Sequence, residues 1–131
     1  MRRIIFSVFL GLMTLSSYSQ QVMTKDASTK TFTVNTTTIG EGIRGYAGPV
    51  PLNVTIKQDK IVSVEILVNK ETPGYLKKIQ KELIPLYVGK RVKDILVAQP
   101  DGVTGATMSS NAIKENVRLA LEYYKKNKRA K

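Results

Sequence analysis

The sequence predicts a single small α+β domain: an antiparallel sheet with a central hairpin, packed by two helices. Two adjacent runs, over residues 52–57 and 62–68, alternate apolar and polar side chains as half-buried strands do. Residues 73–83 and 111–124 instead carry apolar side chains at helical spacing. With 131 residues, 42% of them hydrophobic, the chain can form one modest core.

The first nineteen residues have the pattern of a secretory signal peptide. Two arginines precede an apolar run from Ile4 to Leu15, which is shorter than the roughly 20 residues of a membrane-spanning helix. Ser17 and Ser19 are small residues suited to cleavage before Gln20. We therefore expect residues 1–19 to be a signal peptide and the protein to be exported, to the periplasm or the extracytoplasmic face of the membrane. An uncleaved N-terminal anchor is the alternative.

The strands are predicted first along the chain. Residues 20–31 are polar, and we expect them to form a flexible leader. Alternation predicts a short exposed strand over residues 32–38, and another short strand is predicted over 43–46. The runs at 52–56 and 62–68 then form a hairpin around a polar turn.

The helices follow the hairpin. Thr72 is suited to the N-cap and Pro73 to the first position of a helix that Pro85 ends or interrupts. A short apolar segment at 95–98 is interpreted as a strand. From Asn111 onward an amphipathic helix is predicted.

Composition and charge exclude several kinds of chemistry. The chain has no Cys and no His, which excludes disulfides, His-based triads and the usual zinc and iron–sulfur ligands, and we predict no metal site. The net charge is +11, but five cations lie in the last seven residues, a basic C-terminal tail at 125–131. We therefore predict no nucleic-acid partner. A solvated tail and a weak contact with anionic lipid headgroups are the two interpretations of this charge.

One segment combines small residues with hydroxyls, and it leads into the last helix: residues 101–110, DGVTGATMSS. Its glycines let a ligand approach the backbone closely. The free N–H groups and the dipole at the start of a helix attract phosphate. From these residues alone, a phosphate site and a polar loop that caps the helix both remain open.

The order of these residues, DGVTGAT, resembles the flavinylation motif of the FMN-binding domain family. That family includes the C subunit of the sodium-translocating NADH:quinone reductase and the G subunit of the Rnf complex. The resemblance implies FMN joined to Thr107 through a phosphoester that a separate flavin transferase installs. It also implies a recognition sequence for the transferase, formed by Asp101, Gly102, Thr104, Gly105 and Ala106.

Two further segments resemble the same family. Residues 45–50, GYAGPV, are similar to its strand entry, and residues 71–74, ETPG, are similar to the segment that borders the flavin. The resemblance extends over about residues 43–123, and we place the FMN-binding domain at 32–124. Leu76 stands where family members often have glycine, which bears on how this segment packs against the ring.

The ETPG segment supplies four candidate flavin-binding residues, namely Glu71, Thr72, Pro73 and Gly74. Glu71 is either an ordinary acid favoured by the helix dipole or a hydrogen-bonding partner of the flavin. Thr72 and Gly74 can offer backbone contacts. Tyr46 and Tyr75 can pack on the ring or simply cover the sheet edge.

The sequence as a whole therefore predicts an exported electron-transfer flavoprotein, a carrier more than a stand-alone enzyme. It would pass electrons between extracytoplasmic or membrane redox proteins. One alternative is a module that holds FMN or another phosphorylated ligand reversibly, as a carrier or sensor. Another is a flavin-dependent reductase with its own organic substrate.

Overall fold

A computed structural model describes residues 21–129, so the expected signal peptide lies outside the described residues. Four strands form one antiparallel sheet in the order β1-β2-β3-β4, and three α-helices and one 3₁₀ turn complete this part of the chain. The strands are β1 (Met23–Asp26), β2 (Thr31–Asn35), β3 (Leu52–Lys57) and β4 (Lys60–Ile66). The helices are α1 (Pro73–Glu82), α2 (Val92–Val97) and α3 (Thr107–Asn127), with the 3₁₀ turn at Ile84–Leu86. The α+β class is confirmed.

The predicted hairpin is formed by β3 and β4. Val54 pairs with Val64, and Leu52 with Ile66, so the apolar side chains of both strands share one face. Gln58 and Asp59 in the turn both have positive φ, at 53° and 60°. Two such residues are what a tight type I′ connection requires, although side chains other than Gly, Asn and Asp rarely adopt this conformation.

The core lies between the buried face of the sheet and α3, which packs on β2 and β3. Ile113, Val117 and Leu121 of α3 are fully buried at helical spacing. None of the helices within residues 21–129 is both long and apolar enough to cross a membrane.

Two segments that the sequence predicted as strands do not form strands in the structure. The segment at 43–46 makes only an isolated bridge between Arg44 and Pro49. Most of the segment at 95–98 belongs to a helix, α2. Its buried residues Val92 and Ile95 are three apart, which is helical spacing. A short apolar run does not by itself distinguish a strand from a buried helical turn.

The leader and the last helix also differ from expectation. Met23–Asp26 lies in the stretch expected to be a leader, but it forms β1 and pairs with β2 through the backbone. The last helix begins at Thr107 instead of Asn111 and continues to Asn127, into the expected tail. The sheet therefore begins before residue 32, and Thr107 is the first residue of a helix.

Candidate functional site

Three segments meet around Thr107 and enclose a cleft of about 430 Å³. They are the loop before β3, the start of α1 and the start of α3. The lining residues are Tyr46, Thr72, Tyr75, Gly105, Ala106, Thr107, Met108 and Ser109. The volume lies in the range of small-molecule sites. The structure thus brings together two of the tyrosines and four of the residues that the sequence suggested for a flavin.

The turn before α3 is held by its own backbone and by one serine. Gly105 has a φ of +86°, a left-handed conformation that favours glycine. The Ala106 N–H donates to the Val103 carbonyl at 3.0 Å, and the Val103 N–H donates to Ser110 Oγ at 3.1 Å. Thr107, the first residue of α3, stays exposed to solvent.

The start of α3 offers hydrogen-bond donors to the cleft. No side chain caps this 21-residue helix. The first N–H groups of a helix have no partner within it, and together with the dipole they favour an anion there. A phosphate next to Thr107 would meet these groups.

Glu71 is a buried carboxylate that joins the three segments of the cleft. It accepts the Tyr46 N–H at 2.7 Å, the Ala47 N–H at 2.6 Å and the hydroxyl of Ser109. Burial raises the pKa of Glu71, but the hydrogen bonds from Ser109, Ala47, Tyr46 and Gly48 outweigh it, so the pKa lies below its ordinary value. The carboxylate therefore stands behind the cleft wall, where it joins parts of the protein that the sequence did not connect.

Gly45 explains why the loop before β3 can approach this carboxylate. A Cβ atom at position 45 would overlap Glu71 Oε1. Gly45, the first glycine of the GYAGPV segment, is thus required by a close contact within the protein.

Lys78 of α1 contacts the turn before α3 and was not found from the sequence. Its Nζ donates to the Thr104 carbonyl at 2.8 Å. This places an ammonium group beside the turn, three residues before Thr107. Ser109 belongs to the hydroxyl-rich segment that the sequence singled out, but its contact with Glu71 was not predicted, because the two residues are 38 apart and no local pattern connects them.

The other predicted site residues lie outside the cleft lining. Asp101, Gly102 and Thr104 are exposed in the turn, where a second protein can reach them. Pro73 and Gly74 line a neighbouring groove of about 530 Å³ together with Leu76. The departure at Leu76 therefore bears on that groove and not on the wall next to Thr107.

A family model described as the FMN-binding domain matches residues 45–122. The chain belongs to this family. The match includes every segment that lines the cleft, and it confirms the family suggested by the three motifs. No curated protein matches the chain. Membership identifies the chain as a flavoprotein domain that binds FMN.

The cleft fits the two chemical parts of FMN. Its donors at the start of α3 suit a phosphate, and Lys78 adds a positive charge next to them. Tyr46, Tyr75 and Met108 are partly exposed around the cleft and offer flat or polarisable surface for an aromatic ring.

Proposed function

We propose that FMN is attached covalently to Thr107 through a phosphoester and that the protein is an exported electron carrier. The position of Thr107 is the observation that supports this proposal. It is the one motif threonine that both lines the cleft and stands at the uncapped start of a helix within residues 21–129.

The chain holds and orients the group, and bound FMN supplies the reversible redox chemistry. The N–H groups at the start of α3 and the Lys78 ammonium would hold the phosphate. Glu71 fixes Ser109 relative to Tyr46, so the wall of the cleft keeps its shape. Because the phosphate carries the bond, the ring stays chemically free.

Attachment requires a second protein. No carboxylate lines the cleft within the described part of the chain, and the sequence has no His, so no base is available to activate the Thr107 hydroxyl. A flavin transferase supplies the base and a flavin nucleotide whose phosphate bears a leaving group. Thr107 Oγ bonds to phosphorus, its proton goes to the base, and the leaving group departs. The protein gains one FMN less one water.

A flavin held in an open cleft is suited to electron transfer with other proteins. The cleft opens at the surface, so extracytoplasmic or membrane redox proteins can approach a flavin bound there. A redox protein that approaches the cleft would contact the exposed side chains of Tyr46 and Met108.

The test is intact mass combined with in-gel flavin fluorescence under denaturing conditions. The protein is exported from a host with and without a flavin transferase. We expect a transferase-dependent gain of one FMN less one water on the peptide that contains Thr107. Thr107→Ala should remain folded and colourless, whereas Thr107→Ser should retain flavin because it keeps the hydroxyl.

Thr37→Ala is the matched control, because it removes an exposed threonine that does not line the cleft. It should be flavinylated like the natural chain. A covalently yellow Thr107→Ala protein would refute the attachment site. Flavin that copurifies but is lost on denaturation would indicate reversible binding instead, and turnover of a soluble organic acceptor would indicate a reductase.

A further inference from the structure

A second cleft, at the far end of α3 from Thr107, is strongly basic. It has a volume of about 470 Å³ and lies between the β3–β4 turn, the start of α2 and the end of α3. One acid, Asp59, lines it together with five cations, namely Lys60, Arg91, Lys93, Lys125 and Lys128. The sequence places the first three of these more than thirty residues before the basic tail, so only the fold brings them together.

Asp59 is already engaged and leaves most of this charge uncompensated. Its carboxylate accepts the hydroxyl of Tyr124 and the ammonium of Lys128, the latter at 3.1 Å. These two partners hold its pKa below the ordinary value. Lys128 Nζ also lies 5.4 Å from the centre of the Tyr124 ring, so this cation is fixed against the wall of the cleft.

The remaining cations are held near one another without counterions. Lys60 and Arg91 are partners in an isolated antiparallel bridge, and like charges in directly opposed positions repel. Within residues 21–129, neither of them forms an ion pair, and the same is true of Lys93 and Lys125. A bound anion would relieve this repulsion.

We propose that this basic cleft docks the protein on anionic phospholipid headgroups. Ammonium and guanidinium groups are suited to phosphate. The basic surface also extends beyond the cleft: Lys57 pairs with Lys60 at the hairpin end, and Lys30 precedes Thr31, the partner of Lys57. A charged face wider than one cleft suits a layer of headgroups better than a single small anion.

Docking at this end leaves the Thr107 cleft accessible. The two clefts lie at opposite ends of α3, whose 21 residues make a rod of about 30 Å at ~1.5 Å per residue. The inference requires neither flavin nor a transferase, so it stands or fails separately from the proposed function.

The experiment is cosedimentation with phosphatidylglycerol–phosphatidylcholine vesicles and with pure phosphatidylcholine vesicles. It uses the protein as recovered after export, with its N-terminus read by intact mass, both with and without flavin. We expect binding to the anionic vesicles only, weakening with salt. Removing one cation near the membrane surface weakens binding roughly fivefold, so Lys93→Gln with Lys125→Gln should weaken it about 30-fold.

The matched control is Lys77→Gln with Lys81→Gln, two exposed lysines of α1 that do not line the basic cleft. This control has the same net charge as the Lys93→Gln, Lys125→Gln variant, but it should bind nearly as tightly as the natural chain. Equal weakening by both double variants would overturn the proposal, because net charge alone would then explain binding. An absence of binding to anionic vesicles would also overturn the proposal. That holds even if soluble pyrophosphate or an acidic peptide binds instead.

Discussion

Replacing Glu71 tests whether one buried carboxylate holds the flavin cleft together. Glu71→Gln keeps an oxygen for the Tyr46 N–H and the Ser109 hydroxyl, but it places an amide NH₂ against the Ala47 N–H. One charge-assisted hydrogen bond is lost, which is worth roughly 1.5–3 kcal/mol. We expect Glu71→Gln to lower the free energy of unfolding by about 2 kcal/mol. Glu71→Ala loses all three bonds and should lower it by about twice as much.

The pH dependence has a defined sign. The pKa of Glu71 in the folded protein lies below the ordinary 4.5. The ionised carboxylate therefore stabilises the fold fully above pH 4.5, and this contribution is lost as the pH falls through the folded-state pKa. The difference in stability between the natural chain and Glu71→Gln should be largest near pH 7 and should shrink as the pH approaches 3.

The assay is urea unfolding of the flavin-free protein followed by far-ultraviolet circular dichroism, since the chain has no tryptophan. Glu65→Gln, an exposed acid of β4, is the control and should change stability by no more than about 0.5 kcal/mol. Ser109→Ala combined with Glu71→Gln should be less damaging than the sum of the single changes, because the two share a hydrogen bond. The reasoning fails if Glu71→Gln matches the Glu65→Gln control, or if its effect does not change with pH.

Two further predictions concern neighbouring contacts. Gly45→Ala forces a methyl group into the space of Glu71 Oε1, so urea unfolding should show a loss of about 2 kcal/mol, and an unchanged midpoint would contradict the contact. Lys78→Gln should leave stability within about 0.5 kcal/mol because Lys78 is exposed, but it should slow transferase-dependent flavin attachment roughly fivefold, measured by mass over time. Equal rates for Lys78→Gln and the natural chain would show that this ammonium does not assist attachment.

Local patterns predicted the hairpin and the start of α1 well. The alternation over 52–57 encodes which face of β3 is buried. In β4 the expected alternation fails at its start: Ile61 is buried and Val62 exposed, because a register shift at Thr55/Ile56 adds one residue to β4. Thr72 and Pro73 occupy the expected N-cap and first helical position. β1 was missed because Met23–Asp26 has no apolar alternation. It is an edge strand that forms through backbone pairing with β2.

The sequence suggested many of the residues at the candidate site, but it did not predict how they are arranged. The motif identified Thr107 and the segment around Glu71, because both are contiguous in the sequence. Which oxygen contacts which donor depends on pairs 25 and 38 residues apart. The basic cleft was missed for the same reason: Arg91 and Lys125 become neighbours only when α2 and α3 pack together.

The way Glu71 bridges distant segments would also constrain when the proposed flavin attachment can occur. The DGVTGAT sequence is one continuous stretch and is present even in an unfolded chain. The cleft instead needs segments far apart in the sequence to come together, as Glu71 and Ser109 do across 38 residues, and such long-range contacts are costly to form early. A transferase that reads the turn alone would modify newly made and misfolded chains equally. One that reads the finished cleft would use attached flavin as a mark of completed folding.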